Sequence, residues 1–239
     1  MRTPSLPYRQ APAFRRRTRC GRSAFTLIET ALATVIIGVG VLALVESQQA
    51  FIRSNGWSTH AATATYLANE IREMTRRMPR HDPVTGLFTV VDNGNSSLRG
   101  WGPESGETTV DDFDDIDDFD GLTLTYNGTA GLDDSDLPGP IDAFGQVIPQ
   151  INNDGSAALD NEGSPLPLQG WSQSIRVEKV NPSDYSVSLA NDAVIAPDGT
   201  GFNGVAVDAF PLRVTVTVRY RGVYDSAPTT VAVVSWIVP

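Results

Sequence analysis

The chain has 239 residues, and its 28 acidic and 18 basic side chains give a formal net charge of −10. This length accommodates one globular domain together with a membrane segment. The acidic balance argues against nucleic acid as a partner, because no basic patch is present to neutralise phosphates. The single cysteine, Cys20, lies near the N-terminus, so the later residues carry no disulfide and no thiol chemistry.

Residues 1–24 are interpreted as a basic leader. They contain seven arginines and no acidic residue, so the residues that follow hold 11 basic and 28 acidic side chains and a net charge of −17. Arginine and lysine are enriched on the cytoplasmic side of membrane segments. The leader is therefore predicted to stay in the cytoplasm while the C-terminal bulk crosses the membrane.

Residues 25–45 are predicted to form a transmembrane helix. They are mostly apolar and Glu29 is their only charged residue, and a helix of this length spans roughly 30 Å, the thickness of the hydrocarbon core of a bilayer. A lone acid is costly in lipid, which marks Glu29 as a functional residue. A cleaved secretory signal fits poorly here, because Ala43-Leu44-Val45-Glu46 is a weak cleavage pattern. A plain signal anchor remains an alternative.

The motif Phe25-Thr26-Leu27-Ile28-Glu29 and the apolar run behind it resemble the N-terminus of type IV prepilins and of type II secretion pseudopilins. The resemblance covers residues 24–78. It implies that a prepilin peptidase cuts between Ala24 and Phe25 and methylates the new amino group. It also implies that Glu29 pairs with the N-terminus of a neighbouring subunit during assembly. The family prefers glycine before the cut, whereas this chain has Ala24.

Residues 46–78 are predicted to continue the helix as an amphipathic half. Apolar side chains recur at steps of three or four residues along it: Trp57, Ala61, Ala64, Leu67, Ile71, Met74 and Met78. Pro79 is expected to end the helix, because it lacks a backbone donor and restricts the residue before it.

Residues 79–239 are predicted to form a globular head rich in β-structure. The segment 80–121 is expected to be a loop, and strands are predicted at 122–126, 174–180, 185–189, 212–220 and 229–238. The last two are expected to pair as an antiparallel hairpin. Between the strands, residues 133–168 are expected to be a long irregular insertion. The predicted fold class is therefore α+β and pilin-like, with a long N-terminal helix packed on a C-terminal antiparallel sheet.

The acidic run at 111–121 is the strongest candidate for chemistry. It has an apolar residue at every third position, Phe113, Ile116 and Phe119, with carboxylates between them. One interpretation is a Ca²⁺ site, because Ca²⁺ takes carboxylate oxygens in flexible loops; its candidate ligands are Asp114, Asp115, Asp117, Asp118 and Asp120. The other is a solvated turn, with the apolar residues anchored on the core and the acids facing water.

No catalytic constellation is visible, so an enzyme is not expected. His60 and His81 are expected to be ordinary surface or half-buried residues, and no cofactor other than calcium is suggested.

The resemblance implies a minor pilin or minor pseudopilin in the bacterial inner membrane. Its expected partners are other pilins or pseudopilins, the prepilin peptidase, an inner-membrane assembly platform and lipid. A membrane-anchored protein that binds an extracytoplasmic ligand and a Ca²⁺-dependent surface adhesin remain the alternatives.

Overall fold

The computed structural model describes residues 26–128 and 136–239. They belong to the α+β class: one long N-terminal helix precedes a mixed sheet of mainly antiparallel strands. The chain divides into two units, Met1–Arg53 and Ser54–Pro239. The predicted leader and Phe25 lie outside the described residues.

Helix α1 spans Leu27–Thr75. Its N-terminus is closed by a capping box, in which the backbone N–H and hydroxyl of Thr26 donate to Glu29 Oε2 at 2.8 and 2.9 Å. The N–H of Glu29 donates back to the Thr26 hydroxyl at 3.4 Å. Such reciprocal bonds satisfy backbone donors that have no partner within the helix. At the other end, a turn closed by the Met78 N–H on the Thr75 carbonyl precedes Pro79, so the helix ends a few residues before the predicted position.

The two parts of α1 differ in how they are covered. In the first unit the apolar side chains are exposed: Leu32, Ile36 and Leu42 are more than half exposed, and Val45 is 43% exposed. By length and composition this helix could cross a membrane, although a signal sequence meets the same criteria.

In the second unit the predicted apolar stripe is confirmed at Ala64, Leu67 and Ile71, which are fully buried. It is wrong at Trp57, which is 56% exposed.

Eight strands occur among the described residues. In chain order they are β1 Phe88–Asp92, β2 Asn95–Arg99, β3 Thr123–Thr125, β4 Asp136–Pro138, β5 Trp171–Asn181, β6 Asp184–Ser188, β7 Leu212–Tyr220 and β8 Thr229–Val238. The main sheet has the order β4-β3-β5-β7-β8, with β6 also paired to β5. All of its pairings are antiparallel except β3 with β4, which is parallel. The prediction of a purely antiparallel sheet is therefore wrong at the β4 edge.

The core lies between the C-terminal part of α1 and one face of this sheet. Leu212, Val214, Val216 and Val218 of β7 are fully buried and alternate with partly exposed polar residues, as the period of a half-buried strand predicts. They belong to the same core cluster as Ala64, Leu67, Ala68 and Ile71 of α1. The predicted strands 212–220 and 229–238 and their antiparallel pairing are confirmed, and the other three predicted strands form with shifted ends.

The segment 80–121, predicted as a loop, contains the hairpin of β1 and β2. The turn is Asn93-Gly94, with φ of 51° and 84°. Two successive positive φ angles define the tight turn whose twist matches that of the flanking strands, and Asn-Gly is its preferred sequence. The sequence therefore carried this hairpin signal, and the loop prediction is wrong over residues 88–99.

The insertion predicted to be irregular is a series of three similar hairpin units, residues 140–148, 150–158 and 158–166. In each unit a backbone N–H donates to the carbonyl eight residues earlier, from Ile148 to Pro140, Ala158 to Gln150 and Leu166 to Ala158, at 2.7–2.8 Å. Each tip has a glycine in the left-handed region, at Gly145, Gly155 and Gly163, with φ of 79–88°. Residues 133–135 of the predicted insertion lie outside the described residues.

Candidate functional site

The acidic run folds as a turn on the core. Phe113, Ile116 and Phe119 are buried as predicted, and the rings of Phe113 and Phe119 meet edge to face with centroids 5.1 Å apart. However, Asp115, Asp117 and Asp118 are also fully buried, which contradicts the expectation that the acids between the anchors face water. Around the 3₁₀ turn Asp117–Phe119 these carboxylates point inward and accept hydrogen bonds from backbone N–H groups.

Asp117 is held by two neighbours from earlier in the chain. Its Oδ2 forms a short hydrogen bond with Nδ1 of His81, and its Oδ1 accepts the N–H of Gly102 at 2.7 Å. His81 is itself buried, which contradicts the expectation of a surface or half-buried histidine. His60 is half-buried, and its ring centroid lies 4.3 Å from that of Tyr220.

Asp120 serves a different contact. Its Oδ2 accepts the indole N–H of Trp101 at 3.1 Å, and its Oδ1 accepts the N–H of Val177 in β5 at 2.9 Å. Both oxygens are therefore engaged in joining the acidic turn to the sheet and to the loop before it.

Asp115 and Asp118 bind the backbone of their own turn. Oδ1 of Asp115 accepts the N–H groups of Asp117 and Asp118 at 2.8 and 3.3 Å. Oδ2 of Asp118 accepts the N–H groups of Asp114 and Asp115, both at 3.2 Å. In each residue one carboxylate oxygen shapes the turn.

Two overlapping sets of carboxylates converge here, and they share Asp118. One set is Glu104, Glu107 and Asp118, and the other is Asp114, Asp115 and Asp118; within each set the ligand oxygens lie within 4.8 Å of one another. Of the five candidate ligands predicted from the sequence, the structure brings together Asp114, Asp115 and Asp118. It places Asp117 and Asp120 in the separate hydrogen bonds described above.

Glu104 and Glu107 were missed by sequence reasoning, because they precede the acidic run and have no recognisable spacing to it. Glu107 Oε2 accepts the N–H of Glu104 at 2.9 Å, which closes a small turn. That turn presents both side chains to Asp118.

Burial and mutual repulsion raise the pKa values of Asp115, Asp118 and Glu104. Burial, reinforced by the charges of Asp117 and Asp118, raises the pKa of Asp115 to about 9. Burial also raises the pKa of Asp118 to about 7, and that of Glu104 to about 7 with a contribution from the charge of Asp118. Ionising these clustered carboxyl groups therefore costs free energy, and binding protons or a cation would lower that cost.

The predicted processing and assembly residues lie in the first unit. Ala24 and Phe25 are outside the described residues. Glu29 lies in the first turn of α1 with its carboxylate in the capping box, a role that Thr26-Leu27-Ile28-Glu29 signals as an S/T-x-x-E pattern and that sequence reasoning overlooked.

No protein-family model, curated protein or solved structure matches the chain.

Proposed function

We propose that this chain is a minor pilin or minor pseudopilin, a non-catalytic subunit that is stored in the bacterial inner membrane and assembled with other pilin-like subunits. The observation that carries the proposal is the junction of motif and helix. Phe25-Thr26-Leu27-Ile28-Glu29 leads directly into α1, whose first part is apolar.

The exposure of that apolar part supports the proposal. Leu27, Val35 and Ile37 are 87%, 62% and 66% exposed, and most of the other large apolar side chains in this part of the helix are exposed to a similar extent. A continuous apolar surface of this kind is stable only when lipid or another protein covers it. A subunit that is stored in a membrane and later packed in a filament core has both coverings in succession.

The C-terminal part of α1 supports the proposal in a second way. Ala64, Leu67, Ala68 and Ile71 are buried with the strands of the second unit, so one helix supplies both the exposed apolar segment and part of the core. In this proposal, lipid or protein that covers the apolar segment also anchors the second unit, because the same helix runs through both. In this proposal the acidic second unit faces the extracytoplasmic side, and the peptidase and the assembly platform act at the membrane.

Analysis of the mature N-terminus tests the proposal. In cells with an active prepilin peptidase, we expect mass spectrometry to find a chain that begins at N-methylated Phe25. A cell lacking the peptidase is the control, and there residues 1–24 should stay attached. An unprocessed chain in peptidase-active cells would favour the anchored ligand-binding protein instead, and cleavage after Ala43 or later would indicate a secretory signal.

A further inference from the structure

We infer that the carboxylate cluster around Asp118 binds a divalent cation of the Ca²⁺ type. Its candidate ligands form two sets that share Asp118: Glu104 and Glu107 from the preceding turn, and Asp114 and Asp115 from the acidic run. The site lies entirely within the second unit and is independent of the proposed role of the apolar helix.

The first argument is the unused oxygens. Asp115 Oδ2 and Asp118 Oδ1 are buried and, within residues 26–128 and 136–239, have no hydrogen-bond partner. The same holds for both carboxylate oxygens of Glu104. Buried polar atoms are nearly always paired in folded proteins, so each of these oxygens calls for a ligand. Because these oxygens belong to residues of the two overlapping carboxylate sets, a bound cation would account for them.

The second argument is the spacing. Ca²⁺ binds six to eight oxygens at 2.3–2.6 Å, so two oxygens on the same ion stand up to roughly 5 Å apart. The ligand oxygens of each set lie within 4.8 Å of one another, which matches this limit. The chain holds the site open with backbone bonds to the opposite oxygens of Asp115 and Asp118, which leaves the unused oxygens available.

The third argument is the chemistry of the ligands. All five candidate ligands are carboxylates, four on loops and Asp118 on a short 3₁₀ turn. Such oxygen-rich sites suit Ca²⁺ better than Mg²⁺, which demands near-ideal octahedral geometry. His81 belongs to neither set: its Nδ1 is bonded to Asp117, and its buried Nε2 has no hydrogen-bond partner within residues 26–128 and 136–239. Asp114 is exposed while Glu104 and Glu107 are half-buried, so the site has a solvent-facing side through which an ion can enter.

Thermal melting of the full chain in detergent tests the inference. We compare EGTA, Ca²⁺ with matched ionic strength, Mg²⁺ and NaCl alone. A site saturated at about 100 times its dissociation constant should raise the melting temperature by about 5–10 °C. The shift should saturate with Ca²⁺ and be smaller with Mg²⁺, whereas NaCl should give only a shallow, unsaturable change. Isothermal titration calorimetry then gives the affinity.

Asp118→Asn is the decisive variant, because an amide oxygen can still accept the N–H groups of Asp114 and Asp115. We expect it to lose the Ca²⁺ shift and to melt at a higher temperature than the original chain in EGTA. Glu107→Gln, at a half-buried position, should weaken Ca²⁺ binding about tenfold or more, and it serves if Asp118→Asn fails to fold. Asp111→Asn removes the same charge at an exposed position outside both sets and should behave as the original chain.

Equal melting in EGTA and in saturating Ca²⁺ would overturn the inference. A Ca²⁺ shift of the same size in Asp118→Asn and Glu107→Gln as in the original chain would overturn it as well, since binding would then lie elsewhere.

Discussion

At the scale of the single residue, Glu29 has one observed role and one proposed role, and a substitution can separate them. In the structure its carboxylate caps the start of α1 by accepting from Thr26. In the proposed assembly its charge pairs with the amino group of a neighbouring subunit. Glutamine also serves at this position of a capping box, whereas it cannot form the ion pair.

We therefore expect Glu29→Gln to insert in the membrane normally, while the amount incorporated into filaments falls by about tenfold or more. The reason is that a hydrogen bond to a charged group contributes about 1.5–3 kcal/mol. Thr26→Ala is the matched control: it weakens the cap by roughly 1 kcal/mol and keeps the charge, so it should assemble nearly normally. Co-purification with other pilins measures both. If Thr26→Ala lost as much assembly as Glu29→Gln, capping rather than pairing would be the function of Glu29.

Lys179 is the second residue whose environment predicts a measurable property. It is the single lysine of the chain and is fully buried in β5, where Nζ donates to the carbonyls of Asn191 and Val207. Burial lowers its pKa to about 8, although Asp117, Asp192 and Asp208 act in the opposite direction.

An unfolded lysine keeps its proton up to a pKa of about 10.4. Between pH 8 and 10.4 the unfolded chain therefore holds a proton that the folded chain has released, and the free energy of unfolding rises with pH. The rise contributed by Lys179 should be about 3 kcal/mol. Lys179→Met should lack this rise, so the difference in the free energy of unfolding between the two proteins, measured by chemical denaturation, should change by about 3 kcal/mol across this range. Curves that stay parallel would contradict the lowered pKa of Lys179.

At the scale of the element, Gln173 joins three parts of the second unit. Its amide N–H groups donate to the carbonyls of Leu67 in α1 and Ile141 at 2.8 and 3.1 Å, and its Oε1 accepts the N–H of Ile141 at 2.8 Å. One buried side chain thus ties the helix, β5 and the first hairpin unit together.

Gln173→Leu should leave the N–H of Ile141 buried without an acceptor and lower the free energy of unfolding by about 1–3 kcal/mol. Denaturant titration of the full chain in detergent measures this. Gln169→Leu, two positions before β5 and exposed, is the matched control and should change stability little. A similar loss in both variants would mean that these hydrogen bonds are not the cause of the loss in Gln173→Leu.

The elements that the sequence predicted best are those whose burial follows a simple period. β7 alternates valine with polar residues, and α1 repeats apolar residues at helical spacing, so both were found with nearly correct ends. β5 was predicted to begin late, at residue 174, because the inward position just before it holds the polar Gln173, and a second inward position holds Lys179. A polar residue at an inward position can be explained only when its distant hydrogen-bond partners are known, such as Leu67 for Gln173 and Val207 for Lys179.

At the scale of the whole molecule, one candidate site could be predicted from neighbouring residues, and the other depends on residues that are distant in the sequence. Phe25 and Glu29 were predicted from adjacent residues, because the motif and the apolar run are contiguous. The carboxylate cluster could be predicted only in part, since Glu104 and Glu107 reach Asp118 through the folding of two loops. The partners of the buried Asp117, His81 and Gly102, are also far from it in the sequence.

The three hairpin units at 140–166 have a consequence for how this protein can vary. Each unit brings the chain back, after eight residues, to within one hydrogen bond of its starting point. The residues at a tip, such as Asn161 and Glu162, are exposed and are followed by a glycine that completes the turn. Additional sequence placed there leaves the base of the unit in position, so these tips are suitable places to display an epitope tag on the intact subunit.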